Sequence, residues 1–165
     1  MVDHPIRILF VCTGNICRSP LAQAVLQRKL IDRGIQTDFL IDSCGTAADH
    51  LGQQADTRMR RVARSHGVMI DHRARRIVAG DITGCDLIIG MDEGHMRTLT
   101  SLARQLPEPG ELRKLLWYVS GSAEGAAPDV PDPWYGGQEG FERVFDLVDA
   151  GCEALAERLA VMREG

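Results

Sequence analysis

The 165-residue sequence predicts an α/β fold of three layers, a parallel sheet with helices on both faces. Three observations carry this. Short apolar runs without polar alternation recur, as strands buried on both faces require. Stretches with apolar residues at helical spacing separate them. Gly, Pro and Asp punctuate the junctions.

The elements follow in order. Ile6 to Val11 (IRILFV) is the first strand and ends at Cys12. After the stretch CTGNICRS, Ser19 and Pro20 read as an N-cap and first helical residue, and Ala22, Val25, Leu26 and Leu30 continue at helical spacing until Gly34. Phe39 to Ser43 is the second strand. Met59, Val62, Ala63 and His66 share one helical face that Gly67 ends, and His66 reads as a packed histidine. Asp86 to Met91 is the third strand, with a helix from about Glu93 to Ala103 behind it. Leu112 to Val119 holds a fourth strand without clear ends. Residues 120–137, rich in Gly, Pro and Ala, read as a long loop. Phe141, Val144, Phe145, Val148, Cys152, Leu155 and Leu159 then form a helical stripe. In such sheets ligands bind at the carboxyl ends of the strands, where Cys12 stands.

Length and composition agree with one globular domain over 1–165: 44% apolar and 25% charged residues, with no internal repeat. A net charge of −4 argues against a nucleic-acid binder. The charge is uneven, with 16 Lys/Arg against 13 Asp/Glu in residues 1–123 and 3 against 10 in residues 124–165. No apolar run is long enough to span a membrane. Met1 to Phe10 lacks the layout of a signal peptide, so a cytoplasmic location is expected. The five cysteines, Cys12, Cys17, Cys44, Cys85 and Cys152, are odd in number and read as free thiols in a reducing compartment.

The segment from Val11 to Pro20 is neither a Walker loop nor a dinucleotide fingerprint. Its Cys-x5-Arg-Ser pattern is weak by itself. Its setting strengthens it: the Cys ends a strand, Gly14 and Asn15 lie inside the loop, and a helix follows. Five residues can curl around a tetrahedral oxyanion with their N–H groups pointing inward, and the helix adds the positive end of its dipole. Arg18 can grip two anion oxygens at once. Gly14 allows close approach, and Asn15 tolerates a left-handed conformation. Such surroundings favour a thiolate, the attacking form of a cysteine, and Ser19 can donate a hydrogen bond to it. The competing view, Cys12 as a small buried hydrophobe at a strand end, leaves Arg18, Ser19 and Gly14 unexplained.

This loop resembles the signature of the low-molecular-weight protein tyrosine phosphatases, close to VCxGNICRSP. Ser43 to Gly52, Asp56 with Arg58, His72 to Arg75, Asp86 to Asp92 and Val130 to Phe145 also resemble family segments in family order. The resemblance covers essentially the whole chain and implies a twisted four-stranded parallel sheet, low-molecular-weight phosphotyrosine phosphatase-like. It implies that Cys12 attacks phosphorus, that Arg18 and the loop Thr13, Gly14, Asn15, Ile16, Cys17 and Ser19 bind phosphate, and that Asp132 in Asp-Pro-Trp-Tyr is the general acid and base. From the residues alone Asp129 competes with Asp132, and Asp-Pro is also a common turn starter. The expected substrate is a phosphotyrosine protein or small aryl phosphate, inorganic phosphate is a product, and neither cofactor nor metal is needed. A monomer or weak dimer is expected.

Around the cleft, Trp134 and Tyr135 are expected to line the mouth, the alternative being packing over the next helix. Asp49 and His50 form the other wall. Relatives commonly carry an aromatic residue where this chain has Asp49, so this wall is polar, unless Asp49 simply points into solvent. Asp92 and Ser43 are expected to support the loop, Ser43 by tying down Asn15. His95 stands where relatives usually have Asn, which questions a hydrogen bond near Asp92. His50, His66, His72 and Cys44 match no zinc spacing. The arginines of residues 58–76 read as a solvated helix face, with contact to an acidic protein substrate as a lesser alternative. Cys17, five residues after Cys12, is either a redox partner or a packing residue.

Three rivals remain. Protein arginine phosphatases resemble the chain even at Thr13, but typically have Thr at the position of Ile16. Thioredoxin-coupled arsenate reductases need two further neighbouring cysteines, and residues 86–96 hold none near Cys85. An inactive phosphate-binding module would not need Cys12, Arg18 and Asp132 together.

Overall fold

Why the first strand lies at the centre of the molecule follows from its composition. Ile6–Cys12 (β1) is apolar on both sides and finds a hydrophobic layer on each. Ile8, Phe10 and Cys12 face one core, while Leu9 and Val11 face a second. In a computed structural model that describes residues 4–121, 127–134 and 136–165, β1 pairs in parallel with Phe39–Gly45 (β2) and with Leu87–Gly90 (β3). Glu111–Lys114 (β4) joins the outer edge of β3. The sheet order is β2-β1-β3-β4, all parallel, so the chain reverses its direction of winding between β1 and β3.

Two helix layers cover the sheet. Arg18–Asp32 (α1), Thr57–Ser65 (α2), Trp117–Ser120 (α5) and Gln138–Glu164 (α6) surround the larger core, built from residues such as Leu21, Leu26, Met59, Phe141, Val148 and Leu155. Ala79–Gly84 (α3) and Glu93–Ala103 (α4) close the smaller one around Ile82, Ile88 and Leu99. The approach of α6 to the sheet side is close: a Cβ on Gly151 would stand 2.6 Å from Leu115 Cγ. The three-layer parallel fold expected from the sequence is therefore the observed one.

Local differences have local causes. Helix α1 begins at Arg18, so Ser19 is its second residue and not its N-cap; Cys17 caps it without a side-chain bond. The Ser19 hydroxyl is engaged by Cys12 and Asn15 instead. Pro20 still sits in the first turn, where its missing N–H costs nothing. The strand in 112–119 is 111–114, and the rest of that run turns into α5. Helix α2 ends at Ser65, so His66 lies beyond it, half-exposed and stacked on Phe145 at 4.0 Å. The short helix α3 left no clear apolar periodicity to read. Among the described residues no helix is long and apolar enough to cross a membrane.

Candidate active site

At the carboxyl end of β1 the backbone runs from Cys12 through five residues into α1. The turn needs a left-handed residue, and Asn15 supplies it at φ 57°. Asn15 is fully buried and every polar atom of its side chain is used. Its Nδ2 donates to Ser19 Oγ (2.9 Å) and Ser43 Oγ (3.0 Å), and its Oδ1 accepts from the Arg75 N–H (2.9 Å). Ser43 in turn donates to Gln23 Oε1 at 2.7 Å. The Asn15 carbonyl accepts from His72 Nε2 at 2.8 Å. Burial holds the His72 imidazole below its ordinary range against the pull of that carbonyl.

This network decides where one proton points. Ser19 Oγ already accepts from Asn15, so its own hydrogen is free for Cys12 Sγ, 2.9 Å away. The alternative acceptor, the Cys44 carbonyl, lies at 3.4 Å. Above Cys12, no acceptor among the described residues takes the N–H of Thr13, Gly14, Asn15, Ile16 or Cys17. Five N–H groups of the loop are thus left without a protein acceptor at the start of α1, where the helix dipole adds positive potential.

Arg18 is buried and clamped from behind. Its Nη1 donates to Asp92 Oδ2 (2.8 Å) and to the Val130 carbonyl (2.9 Å). Among the described residues Nε and Nη2 make no hydrogen bond, Nη2 only approaching Asp132 Oδ2 at 3.7 Å, so this edge is available to two oxyanion oxygens. Burial works to raise the Asp92 pKa, but the His95 N–H and the Arg18 guanidinium outweigh it and hold that carboxyl below the usual range. His95 lies buried beside them. Its Nδ1 accepts from the N–H groups of Met91 (3.3 Å) and Asp92 (3.2 Å), leaving Nε2 to donate to Thr13 Oγ1 at 2.9 Å. Burial and then Arg18 push the imidazole down to about 4, against Asp92. Where Asn is usual, this chain thus carries a histidine that ties the start of α4 to the loop.

These groups floor a cavity of about 150 Å³. Cys12, Thr13, Gly14, Ile16, Cys17 and Arg18 form its base, and Asp49, His50, Asp132 and Trp134 its walls. A Cβ on Gly14 would meet His50 Cδ2 at 2.9 Å, so a larger residue there displaces the His50 ring from the wall. The His50 and Trp134 rings stand 5.4 Å apart, and the Arg58 guanidinium lies 5.3 Å over Trp134 and 4.5 Å over Phe141. Asp49 is exposed. Asp132 Oδ1 accepts from the Trp134 N–H, and Oδ2 is 3.7 Å from Arg18 Nη2. Asp129 faces elsewhere: its Oδ1 meets Lys114 Nζ at 2.8 Å and the Glu93 N–H at 3.1 Å. Tyr135 lies outside the described residues. Burial, then Asp56 and Cys12, pushes the Cys17 thiol far up. The histidines weighed as ligands are separately engaged, and no group of three His, Cys, Asp or Glu among the described residues is placed to hold a metal.

Several contributors were not singled out as site residues beforehand. By sequence His72 is weighed only as a metal ligand and Arg75 only as part of a solvated helix face, whereas Arg75 lies beyond α2 and pairs with Asp42 and Asp81. Gly45 and Lys114 carried no local signal. Gly45 stands beside Cys12 in the β1–β2 register, and a Cβ on it would lie 2.5 Å from the Thr13 carbonyl oxygen.

A sequence model described as low molecular weight phosphotyrosine protein phosphatase matches residues 7–164. A low molecular weight protein-tyrosine-phosphatase of Streptomyces coelicolor is 41% identical, covering 96% of this chain and 94% of the relative. The crystal structure of a protein tyrosine phosphatase from Entamoeba histolytica superposes with a TM-score of 0.84 at 35% identity, covering 96% of this chain and 99% of that one. A Drosophila arginine phosphatase gives a TM-score of 0.85 at 30% identity, covering 93% and 98%. The Cys12 loop between β1 and α1, the sheet order and these likenesses lead to one conclusion: the chain belongs to the low molecular weight phosphotyrosine protein phosphatase family.

Proposed function

We propose that the protein hydrolyses phosphotyrosine, in a protein or as a small aryl phosphate, through a phosphocysteine intermediate. The observation that carries this reading is one cavity lined by Cys12, Arg18 and Asp132 together with a loop whose N–H groups have no protein acceptor among the described residues. The phosphoryl oxygens lie against the N–H groups and Arg18, which fixes phosphorus above Sγ. The Cys12 thiolate forms the S–P bond as the P–O bond to the leaving oxygen breaks, and the Asp132 carboxyl gives that oxygen its proton. In the second step Asp132 takes a proton from water, the water oxygen bonds to phosphorus, the S–P bond breaks and inorganic phosphate forms. Ser19 donates to the departing thiolate. Asp132 takes this role and Asp129 does not, because Asp129 is committed to Lys114 and the Glu93 N–H away from the cavity. Ile16, His50 and Trp134 give the walls apolar and aromatic surface suited to a phenyl ring.

A phosphoarginine substrate is the second reading, favoured by the exposed carboxylate of Asp49 at the mouth, which suits a guanidinium. Turnover of an aryl phosphate by wild type, Cys12→Ser and Asp132→Asn tests the class. Activity lost in Cys12→Ser and strongly reduced in Asp132→Asn is the expected result, and activity retained by Cys12→Ser refutes the mechanism. Faster turnover of phosphoarginine than of phosphotyrosine peptides would replace the first reading with the second.

A further inference from the structure

Two residues separate Asp132 from Asp129, and the first of them is fastened through both its backbone groups. Val130 is fully buried; its N–H donates to the Met91 carbonyl at 2.8 Å, and its own carbonyl accepts from Arg18 Nη1 at 2.9 Å. Pro131 follows with its fixed φ. The first fastening is Asp129 itself. It accepts from the first N–H of α4, at the positive end of that helix, and from Lys114 Nζ. Lys114 is the last residue of β4, its side chain only 11% exposed, and its Nζ also reaches Glu93 Oε2 at 3.2 Å. The ammonium therefore joins the sheet edge, the start of α4 and the acid-bearing segment at one point. It is absent from the lining of the catalytic cavity.

From this we infer that Lys114 is a positioning residue for proton transfer: by holding Asp129 it fixes where Asp132 stands over Cys12. The inference rests on the phosphatase reading above. Its logic is geometric. A carboxyl that must meet a leaving oxygen at hydrogen-bond distance is sensitive to displacements well under 1 Å. Asp132 has few fastenings of its own, a bond to the Trp134 N–H and a long approach to Arg18. Its position is thus set by its chain neighbours, residues 129–131 on one side and the buried Pro133 with Trp134 on the other, and Lys114 acts on the first of these two supports. Consistent with a firm anchor, burial works to lower the Lys114 pKa, but the hydrogen bonds it donates to Asp129 and Glu93 outweigh burial and raise it.

A salt bridge that only stabilised the fold would reduce all activity together. A positioning role is selective for reactions that need the proton. The test compares kcat/KM for p-nitrophenyl phosphate, whose acidic leaving phenol departs without much help, with that for phenyl phosphate, whose phenol needs protonation. The variants are Lys114→Met, Lys114→Arg, Asp129→Asn and, as the limit, Asp132→Asn. The ratio of the two constants does not depend on how much of a variant is folded. General acid catalysis is worth about 10²–10⁴. Lys114→Met is therefore expected to lose about tenfold or more on phenyl phosphate and much less on the nitrophenyl ester. Asp129→Asn is expected to follow it, Lys114→Arg to recover most of the loss, and inhibition by inorganic phosphate to stay within about twofold. Equal losses on both esters, or an unchanged ratio, overturn the inference and leave the phosphatase reading standing. Wild type that hydrolyses neither ester overturns the phosphatase reading itself.

Discussion

Gly45→Ala adds one methyl group about as close to the catalytic loop as backbone geometry allows. The new Cβ lies 2.5 Å from the Thr13 carbonyl oxygen, 3.1 Å from the Asn15 nitrogen and 3.2 Å from Asn15 Cβ. Carbon–oxygen contacts begin at about 3.3 Å, so the two backbones must part by about 0.8 Å. Neither yields easily. The Thr13 carbonyl accepts from the Ala47 N–H at 3.0 Å and the Cys12 carbonyl from the Thr46 N–H at 2.9 Å, which rivet the loop to the chain after β2. Asn15 on the other side is held by three side-chain bonds. Overpacking of this kind costs about 1–3 kcal/mol of stability, and a displacement near 1 Å at a reacting centre costs about 10²-fold in rate. The assay is kcat/KM for p-nitrophenyl phosphate, the inhibition constant of phosphate, and a urea transition. We expect activity to fall by about 10²-fold, phosphate to bind more weakly, and the variant to remain folded. Gly80→Ala is the control: nothing lies within 4 Å of a Cβ there, so activity should be unchanged. A Gly45→Ala variant within twofold of wild type in kcat/KM would refute the argument that the loop cannot move.

Other expectations follow from the same geometry. His95 is neutral in the fold down to about 4 and ordinary when unfolded, so the unfolded state binds the extra proton between about 4 and 6.5. Stability then falls as pH drops through that window, by on the order of 3 kcal/mol at most. His95→Asn should flatten the pH dependence of the urea midpoint relative to wild type; an equal slope in both assigns the loss to other groups. Ser19→Ala removes the donor to the Cys12 sulfur and should lower kcat about tenfold with little change in KM, measured by steady-state kinetics. Peroxide should convert Cys12 to a sulfenic acid, which condenses with the Cys17 thiol with loss of water; in Cys17→Ser excess peroxide instead carries the sulfenic acid on to the sulfinic acid, so dithiothreitol restores wild type but not Cys17→Ser. Recovery of both variants to the same extent counts against the pairing.

What was readable in the sequence was whatever is local. The fold follows from apolar runs and stripes, each within a dozen residues. The nucleophile, the arginine and the left-handed Asn15 share one loop, and the Asp132 segment has a compact motif. Ser19 illustrates the limit: its neighbour Pro20 argued for an N-cap, but a buried network joining Asn15, Ser43 and Gln23 drew its hydroxyl away. Gly45, His72, Arg75 and Lys114 come from strands and turns far along the chain. Their contribution depends on sheet register and on which backbones touch, and composition leaves no trace of either. Asp129 and Asp132 could not be told apart by residue type; the Lys114 ammonium separates them in space.

The alternation along β1 has a further consequence. Because Ile8 and Phe10 belong to one core and Leu9 and Val11 to the other, the strand that ends in Cys12 cannot leave one core without leaving both. Cys12 is thus held by both cores, and local fraying of outer helices leaves it in place. An inactive but folded plateau between a denaturation curve followed by activity and one followed by circular dichroism would therefore assign the loss to the exposed Asp132 segment and not to Cys12.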